Sequence, residues 1–293
     1  MRIVFFGSPG PQSFLPLQEL LRENDVVAAV LPFERRDLRR RLSSILQRVR
    51  RIAPPPTAGL LSTRSIPTLR PKRSELDALA SRLAELAPDI ICIAAYPYLL
   101  PASVLSCARR AVLNFHPSLL PRHRGPLPLF WIYHADDRQS GATIHLVDAG
   151  ADTGAIVAQS SFDLPRGLSV LELADRTRHL GAALLREAVS DLDRSLGQAR
   201  PQDHTAATTA PLVRPGAAMV DFAQWGAERV WHFLHGLHPF FLEPLAGPRG
   251  EPLAYSGVED YQPGHSSAIP GSVTVTESHL LLHCHDGVVR LRR

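Results

Sequence analysis

An α/β fold built on a parallel sheet, followed by a small β-rich domain, is the architecture this sequence predicts. Three observations carry the prediction. From Arg2 to Leu164, short continuous apolar runs alternate with helical segments, which is the rhythm of βαβ units. Beyond a polar, Ala/Thr-rich stretch at 197–212 that rhythm gives way to short apolar segments separated by Gly, Pro and Asp. A chain of 293 residues that is 45% hydrophobic and 20% charged also buries a sizeable core without covalent staples. The expected division is therefore 1–196 as one α/β domain, 197–212 as a linker and 213–293 as the β-rich domain.

The elements follow in order. Arg2 to Phe6 reads as a buried strand, ended by Gly7-Ser8-Pro9-Gly10-Pro11; Phe14, Leu17, Leu20 and Leu21 then recur at helical spacing. Asp25 to Leu31 is a second buried strand. The Gly7 turn is not GxGxxG, so nicotinamide binding has little support. Residues 34–52 carry Leu38, Leu42, Ile45, Leu46 and Val49 on one helical face. Within 34–51 stand eight arginines against two acids, which reads either as a solvated amphipathic helix or as an anion-binding element. Ala53-Pro54-Pro55-Pro56 breaks that helix. Ser74-Glu75-Leu76-Asp77 is a capping-box start to a helix reaching Leu86. Ile90 to Ala95 is a strongly apolar strand, and Tyr96-Pro97-Tyr98 leaves its C-terminal end, the edge where open α/β sheets bind ligands. Ala111 to Phe115 is another strand, running into an irregular loop through Gly125. Leu129 to His134 reads as helix, Gly141 to Val147 and Ala155 to Leu164 as strands around a tight acidic turn at 148–154, and Ser169 to Leu196 as one long helix. In the last part, 217–222, 252–255, 272–276, 280–284 and 287–291 are the short apolar segments, with a helix around Trp225 to Leu237.

Several classes are excluded. Three scattered cysteines, Cys92, Cys107 and Cys284, are too few for a disulfide scaffold. No apolar run reaches the length of a transmembrane helix. Met1 to Pro9 is a short apolar run ending in a turn rather than a secretory leader, so a cytoplasmic protein is expected. Formal net charge is +4, yet from Thr205 onward six arginines face eight acids. His232, His235 and His238, and His283-Cys284-His285, have a weak metal-like spacing. However, 232 and 238 fall on different helix faces and 283 and 285 share a face as alternate strand residues do, so packing accounts for them and no metal is expected.

Asn114, His116 and Asp152 lie at the ends of predicted parallel strands, where a site at the sheet's C-terminal edge needs them. A carboxylate beside a histidine fixes its tautomer and raises its basicity, and a nearby amide can donate to a developing oxyanion. On spacing alone each of them, taken singly, is more often a turn or capping residue.

The longer motif carries more. Asn114-Phe115-His116-Pro117-Ser118-Leu119-Leu120-Pro121-Arg122-His123-Arg124-Gly125, followed by Gly141-Ala142-Thr143-Ile144-His145 and Asp148-Ala149-Gly150-Ala151-Asp152-Thr153-Gly154, resembles the formyltransferases that use 10-formyltetrahydrofolate. Gly7-Ser8-Pro9 and the Pro88-Asp89-Ile90-Ile91 to Leu100-Pro101 segment resemble them too, and Val220-Asp221-Phe222 to Pro239 resembles the second domain of the tRNA-acting members. The resemblance implies a Rossmann-type sheet, then a small domain like an open barrel. It implies direct transfer of a formyl group to an amine, with His116 and Asp152 handling the amine's proton and Asn114 with protonated His116 stabilising the oxyanion. It implies a folate pocket at Ala95, Tyr96, Pro97, Tyr98 and Leu99, with the turn from Asp148 opposite, and a structural role for Ser118. A serine-hydrolase reading finds no GxSxG elbow.

The chain departs from the tRNA-acting members where the acceptor would bind. Leu31-Pro32-Phe33-Glu34-Arg35-Arg36 stands where they have an Asp-Arg-Pro type segment, and Pro126-Leu127-Pro128-Leu129-Phe130-Trp131 is closer to sugar formyltransferases. Their second domain is basic and extends further than residue 293; this one is acidic, a poor grip for a polyanion. The expected acceptor is a small-molecule amine, such as an amino sugar nucleotide. The alternatives are initiator tRNA held through the arginines of 35–51, hydrolysis of the formyl donor by water, and a non-catalytic binder.

Overall fold

The computed structural model describes residues 1–33, 57–265 and 267–293. The arginine-rich segment expected to be helical over 34–52 lies outside the described residues. The chain packs as two compact units, each considered by itself.

Unit 1 comprises Met1–Gly125, Gly141–Ser161 and Arg176–Thr209. Its strands are β1 (Arg2–Gly7), β2 (Asp25–Val30), β3 (Thr68–Leu69), β4 (Ile90–Ala94), β5 (Ala111–His116), β6 (Gln139–Leu146) and β7 (Ile156–Asp163), in the sheet order β3-β2-β1-β4-β5-β6-β7. The apolar runs are continuous because the sheet is covered on both faces. Ile3 and Phe5 of β1 join Ile90, Cys92 and Ala94 of β4 in one core, while Val4, Phe6, Ile91 and Ile93 face the other. Helix α1 (Pro11–Leu20) fills the first core with Leu17 and Leu20. Helices α2 (Thr57–Thr63) and α3 (Leu76–Leu86) follow, and Leu76, Leu79 and Leu83 of α3 fill the second core. The short α4 (Ala102–Leu105) precedes β5.

The strand order reverses between β1 and β4, and open α/β sheets form their ligand crevice at such a point. The loops Gly7–Gly10 and Ala95–Leu99 leave the sheet there.

The structure corrects the sequence in several places. β1, β2, β3, β4 and β5 pair in parallel, but β6 runs antiparallel to β5, so the sheet is mixed and Asp152 does not follow a parallel strand. The turn before α3 is not capped by Ser74. Residues Arg73–Glu75 form a 3-10 turn and the Glu75 carboxylate accepts from the Lys72 backbone N–H at 2.9 Å. The long C-terminal helix of this region breaks at Asp191 into α6 (Val170–Ser190) and α7 (Leu192–Gly197). The segment expected as a linker belongs to unit 1 as far as Thr209. Arg200 bridges Ile156, and Arg124 bridges Thr209.

Unit 2 comprises Pro126–Ser140, Phe162–Asp175 and Ala210–Arg293. Packing thus partitions the chain differently from a contiguous 213–293 domain. The reason is apolar: Phe130 and Tyr133 of α5 (Pro128–His134), with Leu164, Leu168 and Leu173, share one core with Trp225 and with Val230, Phe233 and Leu237 of α8 (Ala227–Leu237). Strands β8 (Leu245–Ala246) and β9 (Pro252–Leu253) pair by themselves. β10 (Gly257–Pro263), β11 (Val273–Val275), β12 (His279–Cys284) and β13 (Gly287–Arg292) form an antiparallel sheet in the order β10-β13-β12-β11. Residues 217–222 form no strand; Met219, Val220 and Phe222 pack on the core from an irregular segment.

Candidate active site

Pairing of β5 with β6 assembles a polar cluster in unit 1. The register sets Asn114 opposite His145, and Asn114 and His116, two apart on one strand, share a face. Beneath them Phe115 packs against Gly181 of α6. A Cβ at 181 would stand 2.1 Å from the Phe115 ring, so only glycine lets the helix approach this closely.

His116 is 4% exposed. Its Nε2 lies 2.8 Å from the His123 carbonyl, and a carbonyl only accepts, so Nε2 carries the proton. In the neutral ring Nδ1 is therefore a free lone pair, 3.6 Å from Asp152 Oδ2. His123 can present that carbonyl because its φ is +61°, inside a loop closed by Ser118 Oγ donating to the Arg122 carbonyl at 2.8 Å.

Asp152 sits between two imidazoles. Its Oδ2 accepts from the Gly125 N–H at 2.9 Å, and Oδ1 lies 3.3 Å from Asn114 Nδ2 and 3.4 Å from His145 Nε2. Burial opposes ionisation of Asp152. The polar contact with His145, the charges of His116 and His145, and the Gly125 N–H outweigh it and hold the carboxyl at about 2. Burial is the largest influence on His116 and pulls it below its ordinary value; the Asp152 charge opposes that pull without reversing it. Near pH 7 the pair is thus a carboxylate facing a neutral imidazole, the arrangement needed to accept and return a proton.

His145 Nδ1 donates to the Leu146 carbonyl at 2.7 Å; in the neutral ring its Nε2 accepts from Asn114 Nδ2 at 3.0 Å, and in the protonated ring the same nitrogen donates toward Asp152 Oδ1. Both amide protons of Asn114 are thereby engaged within the cluster. The Asp152 turn is held from a distant segment: Gln202 Nε2 donates to the carbonyls of Asp152 at 2.9 Å and Gly154 at 2.7 Å.

The structure therefore brings Asn114, His116 and Asp152 together. His145 stood in the sequence motif with no role assigned, and strand pairing is what reveals its contact. Gln202 lay in the expected linker and carried no sequence signal at all.

The residues expected to bind the folate take a different setting. Ala94 pairs with Phe115, so Ala95–Leu99 leaves the sheet edge in register with His116. Ala95 has a φ of +56°, Tyr96 and Tyr98 are half-buried and meet edge to face at 5.7 Å, and Pro97 is exposed, as is Leu99 at 69%. Asp148 is exposed and its Oδ1 accepts from Gly150 N and Thr153 Oγ1. Among the described residues no group of histidine, cysteine and carboxylate side chains is placed to hold a metal ion, and no helix is long and apolar enough to cross a membrane.

A mixed α/β sheet that carries a carboxylate, an imidazole and an amide together at the edge where such sheets bind ligands has the groups that a proton-coupled transfer needs. The formyl transferase family model matches residues 1–189. The methionyl-tRNA formyltransferase of Synechococcus sp. (strain JA-3-3Ab) is 32% identical over 93% of this chain and 82% of that protein. That of Synechococcus sp. (strain JA-2-3B'a(2-13)) is 36% identical over 85% and 75%. Solved structures share the fold. Glycinamide ribonucleotide transformylase 1 from Symbiobacterium toebii matches with a TM-score of 0.53 at 24% identity, over 69% of this chain and 94% of that one. The N-formyltransferase from Helicobacter canadensis, in complex with folinic acid and dTDP-3-aminofucose, matches with a TM-score of 0.70 at 12% identity, over 100% and 99%. The chain belongs to the 10-formyltetrahydrofolate-dependent formyl transferase family, and it is an enzyme.

Proposed function

We propose that the protein transfers the formyl group of 10-formyltetrahydrofolate to the primary amine of a small-molecule acceptor. The observation that carries the chemistry is the neutral His116, whose free Nδ1 faces the ionised Asp152. The formyl donor supplies an activated one-carbon unit when bound. His116 Nδ1 takes the proton that the attacking amine sheds as its nitrogen bonds the formyl carbon. It returns a proton to the folate nitrogen as the carbon–nitrogen bond there breaks. Asp152 stabilises the imidazolium between these events. Asn114 donates to the formyl oxygen by giving up its longer bond, that to Asp152.

The loop after β4 supports the placement of the folate ring. The Tyr96 hydroxyl is buried with no partner among the described residues, and burial pushes its pKa to about 12, so it stays a neutral donor. A polar heterocycle seated against Tyr96 and Tyr98 would satisfy it.

Charge supports a small acceptor. Unit 2 carries eight arginines against thirteen acids, a net −5. Arg166 is bound by Asp136 and Glu228, and Arg290 by Glu259 and Asp260, so these cations are engaged by the unit's own acids. A second reading, formylation of an aminoacyl-tRNA, is favoured by the relatives at 32% and 36% identity, and would use the arginines of 35–51.

The test is tetrahydrofolate release from 10-formyltetrahydrofolate with no acceptor, with charged initiator tRNA, and with a panel of amino sugar nucleotides and free amines, using His116→Ala as control. Release that needs a small amine is the expected result. Release only with tRNA overturns the acceptor assignment, and equal release without acceptor makes the enzyme a hydrolase.

A further inference from the structure

Gln202 is 5% exposed, and all its hydrogen-bonding capacity is used. Its amide nitrogen donates to two carbonyls of the acidic turn, those of Asp152 and Gly154. Its amide oxygen accepts twice from the Arg124 guanidinium, from Nε at 3.1 Å and Nη2 at 2.7 Å. Arg124 Nη1 also lies 3.2 Å from His204 Nδ1. Four bonds thus join residue 202 to two loops distant in sequence, and both loops touch the same carboxylate. One loop carries Asp152 itself. The other contains Gly125, directly after Arg124, whose N–H is bonded to Asp152 Oδ2.

Asp152 needs such a hold. Its φ is +55°, a left-handed conformation that an aspartate adopts only at a cost. Gly154, two residues on, has no room for a side chain: a Cβ would stand 1.9 Å from the Leu146 carbonyl. The turn therefore lies directly against the end of β6. The strap that carries Gln202 is itself tied at both ends. Ile156 and Arg200 exchange backbone bonds of 2.8 and 2.9 Å, and Thr208 receives Arg124 N–H at its carbonyl and His123 N–H at its Oγ1.

We propose that Gln202 is a positioning residue of the formyl transfer reaction: it fixes the Asp152 carboxylate against His116 by clamping the Asp152 and Gly154 carbonyls to the Arg124–Gly125 loop. This rests on the assignment of His116 and Asp152 as the proton-handling pair, and the two can fail separately. The groups facing His116 are Asp152, His145 and His123. Of these Asp152 is the acid, so its distance from the imidazole sets how far the ring's affinity for protons is raised against burial. A carboxylate that drifts away lowers it.

The experiment follows His116 by NMR titration of the imidazole in the full-length protein, assigned by the signal lost in His116→Ala, together with thermal melting. Asp152→Asn is expected to lower the His116 midpoint by about one pH unit. Gln202→Met keeps the length of the side chain and removes its two amide donors and its carbonyl acceptor. It is expected to lower the same midpoint in the same direction, by about a third of the Asp152→Asn shift or more. Gln202→Asn keeps the amide one methylene short and is expected to fall between Gln202→Met and the wild type; it stands in if the methionine variant does not fold. A melting temperature that drops while the His116 midpoint stays at the wild-type value in both Gln202 variants overturns the proposal and leaves Gln202 a packing residue. A His116 midpoint unmoved by Asp152→Asn overturns the proton-handling pair itself.

Discussion

Each unit buries a histidine, and the two differ in what their second ring nitrogen meets. His116 in unit 1 gives its Nε2 proton to a carbonyl and turns Nδ1 toward a carboxylate. His232 in unit 2 is 0% exposed and accepts the Gly167 N–H on Nδ1 at 3.0 Å, which leaves the proton on Nε2, where no partner stands among the described residues. Its ring lies 5.0 Å from that of Tyr133, and burial, followed by the Arg166 charge, holds its pKa at about 4. Burial alone silences an imidazole; a carboxylate set beside an unblocked nitrogen keeps it able to exchange a proton. On the proposed function the first arrangement serves chemistry and the second serves packing.

Replacing each ring breaks this comparison most sharply. His116→Ala is expected to lower turnover per folded molecule by roughly 10²–10⁴, whereas His232→Ala leaves turnover per folded molecule intact and costs about 3 kcal/mol of stability. Steady-state tetrahydrofolate release and calorimetry separate the two, and comparable turnover losses would erase the distinction.

Acidification sharpens it. The folded His232 binds a proton at about 4, below the 6.5 of an unperturbed histidine. Between those values the unfolded chain holds more protons, so stability rises with pH across that window. His232 contributes at most about 3 kcal/mol, fully present above pH 6.5 and lost as pH falls toward 4. His232→Asn, which keeps an acceptor for Gly167 N–H, is expected to flatten the melting temperature over that range; an unchanged slope would assign the acid sensitivity elsewhere. His116 shows itself in rate instead. Turnover climbs as pH rises through its depressed pKa, and Asp152→Asn moves that limb to lower pH while cutting the plateau by about 10²–10³.

The smallest effect concerns the pocket. Tyr96→Phe removes the unpartnered buried hydroxyl, so the free protein gains slightly in stability while folate affinity falls by about 5–10-fold. Calorimetric titration with 5-formyltetrahydrofolate measures it, and an unaltered affinity moves the pocket away from this loop.

How much of this was legible in sequence depends on whether a feature is local. β1, β2, β4 and β5 are apolar runs that must be buried on both faces, and Asn114 and His116 share a face because a strand has period two. The direction of β6 is set by hydrogen bonds to a strand 30 positions upstream, which no pattern within 139–146 records. Gln202 looks like any polar residue of a connecting segment, and only the fold shows which carbonyls it reaches. The reach of unit 2 was hidden for a related reason: Phe130, Tyr133 and Leu164 read as parts of the first domain's elements, and nothing local tells which core receives them.

That interleaving has a consequence for the order of assembly. Phe130, Tyr133, Leu164, Leu168 and Leu173 leave the ribosome well before Trp225 and Phe233, the partners that cover them. Until the last stretch is synthesised they remain an apolar surface awaiting a distant sequence, and closing those long loops slows folding. A gene cut near residue 212 would leave that surface permanently bare, so aggregation, rather than an isolated catalytic domain, is the expected product of truncation.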